Sequence, residues 1–184
     1  SIMPHFQLTA EQIKSYDRDG YLIVKNFLSK EEVDKLYKIA TGDGILQKHA
    51  FDLNDQSGKK TKRTLWYTPG NDAYGLLTKS KRMVDNANLL LEGDAPVCHF
   101  HSKLMQKEPK VGGAWEWHQD YGYWYQNGVL QPLLASVSIA VDGATKENGC
   151  LQVLKGSHNL GRIDHGKVGD QTGADPERVA VALE

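Results

Sequence analysis

The chain has 184 residues, 40% of them hydrophobic and 24% charged, and a formal net charge of -1. That length points to one domain with one sizeable core. A near-neutral balance excludes the global field that draws a protein to nucleic acid or an anionic membrane. No apolar run reaches the 18 residues a spanning helix needs. Ser1 to Gln7 lacks the basic and apolar regions of a signal peptide. Cys98 and Cys150 read as two buried thiols in a reducing compartment rather than a disulfide framework. The expectation is a cytoplasmic protein.

Two helices open the chain. Thr9 and Gln12 form a capping box, with Leu8 and Ile13 as its hydrophobic staple, and Gly20 stops this helix. Tyr21 to Val24 reads as a short strand. Ser29 with Glu32, and Leu28 with Val33, repeat the box and staple. Val33, Leu36, Tyr37 and Ala40 then lay one helical face on a core. Residues 41 to 75 read as irregular connection, with a polar, mobile stretch from Asp52 to Lys62. A helix follows from Ser80 to Leu91, ended by Gly93.

Beyond Pro96 the pattern changes to strands. In a strand from Val97 to Gln106, one face carries Val97, His99, His101, Lys103 and Met105, and the other Cys98, Phe100, Ser102 and Leu104. The first face is either a solvent-facing sheet surface or the lumen of a barrel that holds a polar ligand. Residues 133 to 141 alternate likewise, with Ser136 and Ser138 opposite Leu133, Ala135, Val137, Ile139 and Val141. Helices first and strands later suggest an α+β arrangement with a β-sandwich or barrel core.

The chemistry concentrates in Trp117-His118-Gln119-Asp120. On a strand, His118 and Asp120 project to the same side, so an imidazole and a carboxylate meet one ion. With a distant histidine they make the facial triad of non-haem Fe(II) oxygenases, which keeps adjacent positions open. As a bare pattern His-x-Asp is weak: composition alone supplies about 0.5 occurrences in a chain with seven histidines. Its setting is more informative. The pair follows a Gly112-Gly113 turn, runs into aromatics and precedes further β-type segments. Trp115, Trp117, Tyr121, Tyr123, Trp124 and Tyr125 read either as barrel-wall packing or as a water-excluding pocket wall. His158, in Gly156-Ser157-His158, reads as a turn-stabilising residue. His165 is a looser candidate for a ligand, in a glycine-rich stretch read as mobile. His99 and His101 read as contacts to co-substrate or substrate. His5 and His49 have no supporting context.

Residues 115 to 124, WEWHQDYGYW, resemble the metal-binding strand of the phytanoyl-CoA dioxygenase family. Glu147 to Leu151 and Gly156 to His158 are similar to its downstream signature, and Asp19-Gly20-Tyr21 with the capped helix after Phe27-Leu28-Ser29 is similar to its N-terminus. The resemblance implies a mainly β fold with supporting helices: a double-stranded β-helix, or distorted, cupin-like jelly roll. It implies an Fe(II)- and 2-oxoglutarate-dependent dioxygenase that hydroxylates a small organic substrate and releases succinate and CO2. His118 and Asp120 become two iron ligands. Lys103, His101, Ser136 and Ser138 become candidates for holding 2-oxoglutarate, and Trp117, Tyr121, Tyr123 and Trp124 the substrate pocket. Related halogenases have a small residue at the carboxylate position, so Asp120 implies hydroxylation. The family's third histidine and its 2-oxoglutarate-binding arginine are expected beyond Glu184, with His165 as a weak substitute. The expected layout is therefore one oxygenase domain over residues 1–184, helical over 1–95 and the start of the jelly-roll core over 96–184, with its C-terminal part missing. Expected partners are a small-molecule substrate and O2, with neither nucleic acid nor membrane. Two other classes stay open: a cupin-like metal- or ligand-binding barrel without oxygenase activity, and a non-catalytic fragment or pseudoenzyme.

Overall fold

The computed structural model describes residues 6–42, 51–54, 60–107 and 114–184. The Gly112-Gly113 turn, His5 and His49 lie outside the described residues.

Both opening helices begin where their capping boxes stand. α1 (Ala10–Asp19) starts at Thr9, whose hydroxyl accepts from the Gln12 N–H while the Gln12 side chain takes the Thr9 N–H. It ends on Gly20 in the left-handed conformation, φ 79°. α2 (Lys30–Gly42) has the same reciprocal bonds between Ser29 and Glu32 and buries Leu36 and Ala40. Tyr21 to Val24 joins no strand ladder among the described residues, and Ile23 is exposed.

The stretch expected to be a mobile connection instead contains two strands. β1 (Phe51–Asn54) pairs antiparallel with β2 (Lys60–Trp66), which pairs antiparallel with β3 (Ser102–Gln106) in register Thr64 to Leu104. The charge of Lys60, Lys62 and Arg63 disguises this element. Its strand character comes from the ladder with β3, about forty residues on, rather than from local hydrophobicity.

α3 (Ala73–Thr78) and α4 (Lys81–Leu91) follow. Ser80 caps α4 by accepting from the Met83 N–H, and Glu92, not Gly93, is the left-handed residue that ends it. α4 ties down the N-terminal segment. Asn86, only 6% exposed, accepts from the Leu8 N–H and donates to the Phe6 carbonyl. Arg82 grips Glu32 with both terminal nitrogens, at 2.7 and 3.2 Å, and donates to the Phe27 carbonyl. Asn86→Ala leaves the buried Leu8 N–H without its partner. A loss of about 1–3 kcal/mol is expected, read as a lower denaturant midpoint at unchanged slope.

Of the strand expected over Val97 to Gln106, only Ser102–Gln106 is laddered. Residues 133 to 140 join no ladder among the described residues, and Leu133 and Val137 are 61% and 59% exposed. The glycine-rich stretch expected to be mobile holds a second sheet. β4 (His165–Val168) and β5 (Gln171–Ala174) form a two-residue hairpin through Gly169, φ 61°, and Asp170. A glycine with positive φ at the first turn position is what a tight hairpin of this kind requires. α5 (Asp120–Tyr125), a 3-10 helix (Ser157–Leu160) and α6 (Pro176–Leu183) complete the described elements. Cys98 and Cys150 form no disulfide, but Cys98 is exposed and Cys150 half-buried, contrary to the expected burial of both. No helix among the described residues is long and apolar enough to cross a membrane.

Candidate metal centre

The His118–Asp120 pair does not sit on a regular strand. Residues 114–119 run without a ladder of their own, and Asp120 is the first residue of α5. An acidic residue in a first helical turn is favoured by the unsatisfied N–H groups there. The two donor atoms meet nonetheless: His118 Nε2 lies 3.2 Å from Asp120 Oδ1.

Each donor is oriented from behind. His118 Nδ1 donates to the Glu116 carbonyl at 2.8 Å, which fixes the ring and leaves Nε2 facing the carboxylate. Ser136 donates to Asp120 Oδ2, leaving Oδ1 facing the imidazole. Main-chain carbonyls and hydroxyls behind ligating side chains are the usual supporting contacts of a metal centre. Donating Nε2–H to Asp120 raises the pKa of His118, and the same bond, with Ser136 adding to it, lowers that of Asp120 to about 2. The pairing favours the imidazolium form of His118 opposite the carboxylate, and a divalent cation bound here would take the proton's place.

The donor set fits a hard-to-borderline metal such as Fe(II). No cluster of three or more histidine, cysteine, aspartate or glutamate ligands forms among the described residues. His165 does not fill the gap. Its Nε2 accepts from the Gln119 N–H at 2.8 Å and its Nδ1 donates to the Ile163 carbonyl at 2.7 Å, so neither nitrogen has a lone pair to give a metal. Sequence shows the donor type of a histidine; only the fold shows that both nitrogens are taken.

Beside the pair lies a cationic, aromatic wall. Lys103 Nζ lies 5.0 Å from the centre of the Trp115 ring, and the Arg63 guanidinium 5.6 Å from the same ring. Burial lowers the pKa of Lys103, with Asp120 opposing, and burial likewise lowers those of His101 and Arg63. His101 Nδ1 and Trp115 Nε1 are buried with no hydrogen-bond partner among the described residues. Trp124 packs on His101 at 5.0 Å and Phe100 at 4.9 Å, with Tyr123 at its edge. His99 is occupied elsewhere, bonded to the Tyr67 carbonyl and Ser102.

The expected site residues therefore divide. Ser136 reaches the pair, whereas no bond from Ser138 joins it among the described residues. Tyr123 and Trp124 line the wall. Trp117 lines a small cleft with Glu116, Val168, Ala174 and Val179 on the hairpin side, and Tyr121 packs on Tyr125 and donates to the Leu130 carbonyl. Trp117 and Tyr121 are thus drawn into structural contacts. Arg63 was not anticipated, because its strand reads as a charged loop. His158 braces α1: its Nε2 donates to the Asp17 carbonyl at 2.7 Å, and the adjacent Gly156 N–H donates to Asp19.

The pattern of the family described as Phytanoyl-CoA dioxygenase (PhyH) matches residues 16–184. Among curated relatives, L-proline trans-4-hydroxylase of Streptomyces griseoviridis is 31% identical over 81% of this chain and 55% of its own length. The ectoine dioxygenases of Nocardia farcinica and Sphingopyxis alaskensis are 27% and 28% identical, over 83% and 82% of this chain and 52% and 50% of their own lengths. The chain spans about half the length of the curated relatives it matches. With all but its first fifteen residues inside the match, the chain belongs to the phytanoyl-CoA dioxygenase family of oxygenases.

Proposed function

We propose that the protein is an Fe(II)- and 2-oxoglutarate-dependent dioxygenase that hydroxylates a small organic substrate. The observation that carries this reading is the convergence of His118 Nε2 and Asp120 Oδ1, each oriented by a second bond, in a member of this family. The fold that goes with this reading is the family's jelly roll, and the pair supplies two ligands, with no third beside it among the described residues. Free thiols at Cys98 and Cys150 agree with a reducing, cytoplasmic setting. The partner is a small molecule, with no role for nucleic acid or membrane.

His118 and Asp120 hold the metal, while Glu116 and Ser136 keep both ligands aimed. Bound iron with 2-oxoglutarate supplies the oxidising chemistry: O2 is consumed, 2-oxoglutarate leaves as succinate and CO2, and a substrate C–H becomes C–OH. Lys103 and His101 hold the anionic co-substrate. A charge-assisted bond from a part-buried ammonium is stronger than the same bond in water, and His101 Nδ1, which has no partner among the described residues, offers a second polar contact. Tyr123 and Trp124 shield the site from water.

The relatives' names make L-proline and ectoine the first compounds to test. The full-length protein, supplied with Fe(II), 2-oxoglutarate and O2, is expected to form succinate, and to form it faster with an accepted substrate. Iron bound tightly with no succinate above a protein-free control, with or without these compounds, would overturn the oxygenase reading.

A further inference from the structure

The segment that carries both ligands has no ladder of its own, yet its main chain is bonded along its length by one other element. The Gln171 amide donates to the Ala114 carbonyl and accepts from the Glu116 N–H, both at 3.0 Å. The Ala174 N–H donates to the Trp117 carbonyl at 2.8 Å. His165 Nε2 accepts from the Gln119 N–H at 2.8 Å. The Gln119 side chain closes the set, donating to the Gly161 carbonyl and accepting from the Ile163 N–H. His165 and Gln171 are 9% and 7% exposed, so these bonds are shielded from competing water.

We propose that the β4–β5 hairpin is a positioning clamp for the metal ligands and that His165 is its principal positioning residue. The clamp reaches both ligands through the backbone. Gln171 holds the N–H of Glu116, the residue whose carbonyl, on the next peptide, orients the His118 ring. His165 holds the N–H of Gln119, the residue between His118 and Asp120. Its own ring is fixed by the Ile163 carbonyl on one side and by Gly122 on the other, where a Cβ would come within 2.5 Å of the ring. Neutral His165 satisfies both bonds at once, donating from Nδ1 and accepting at Nε2. The hairpin thus acts where a neighbouring strand would act in a regular sheet, setting the spacing of the two donors without touching the metal.

This inference rests on the proposed metal centre, so its test includes a measurement that needs no metal. In the full-length protein, His165→Gln keeps an acceptor near the position of Nε2, whereas His165→Asn keeps only a donor near Nδ1. Three things are measured for each: hydrogen exchange at the Gln119 amide, anaerobic Fe(II) affinity, and the absorption spectrum of the Co(II)-substituted site. Asn is expected to lose Gln119 protection, to weaken Fe(II) binding about 10–100-fold and to shift the Co(II) bands, with its melting temperature nearer wild type. Gln is expected to restore protection and affinity to within a few-fold. Unchanged Gln119 exchange in the Asn variant overturns the clamp. So does lost protection with unchanged affinity and Co(II) spectrum. Failure of the wild-type protein to bind metal strikes the proposed centre instead, and the exchange data then decide the clamp alone.

Discussion

His118→Ala and Asp120→Ala in the full-length protein are each expected to abolish iron retention and 2-oxoglutarate turnover. Each removes a donor from a site that already keeps positions open for other ligands. The loss in affinity should exceed the roughly 10–100-fold that follows from removing a supporting contact such as the Ser136 bond to Asp120. The two variants differ in the group they leave behind. Without Asp120, His118 loses the partner that raises its pKa; without His118, Asp120 loses the bond that most lowers its own. Proton competition gives a second mark on the wild-type protein. The raised His118 holds its proton at pH values where an ordinary histidine has released it, and metal binding must displace that proton. Asp120, held at about 2, stays ionised throughout. Fe(II) affinity should therefore fall as pH drops below the titration of His118, by about tenfold per pH unit for one proton displaced. Equilibrium dialysis of Fe(II) under anaerobic conditions and succinate release check both marks. Wild-type-like iron content and succinate production in either alanine variant removes the metal centre.

What was legible in the sequence is what depends on near neighbours. Thr9 with Gln12, and Ser29 with Glu32, lie within one turn of each other, and both boxes are present as read. His118 and Asp120 are two residues apart, so they meet under more than one backbone geometry. That is why the pair survives although Asp120 opens a helix rather than continuing a strand. Elements that depend on distant partners were not legible. β2 is charged, and its ladders to β1 and β3 make it a strand. The hairpin at His165 was hidden by its glycines, although Gly169-Asp170 between two four-residue segments is itself a hairpin signal. Gln119 and Gln171 carry no chemical signature, and their role exists only because the fold brings them together.

Gly122→Ala is expected to damage stability and metal binding together. Helix propensity alone predicts the opposite. Gly122 lies in the middle of α5 without a positive φ, where alanine is worth up to about 1 kcal/mol over glycine. Space decides against it. A Cβ at position 122 would lie 2.4 Å from the Ile163 carbonyl oxygen and 2.4 Å from His165 Cε1. One of these is backbone, and the other belongs to a ring held by hydrogen bonds at both nitrogens, so neither yields without breaking a bond. Overpacking of this kind costs about 1–3 kcal/mol, and relief requires α5 and the hairpin to separate. That separation pulls His165 from the Gln119 peptide and moves Asp120, at the start of the same helix. Lower thermal stability and weaker Fe(II) binding are therefore expected together. Gly143→Ala, where nothing lies within 4 Å of the added carbon and φ is not positive, serves as the matched control and should change neither. Thermal melting and Fe(II) titration of both full-length variants check this. A Gly122→Ala protein that melts and binds iron like the control would show that α5 and the hairpin are not packed against each other at this glycine.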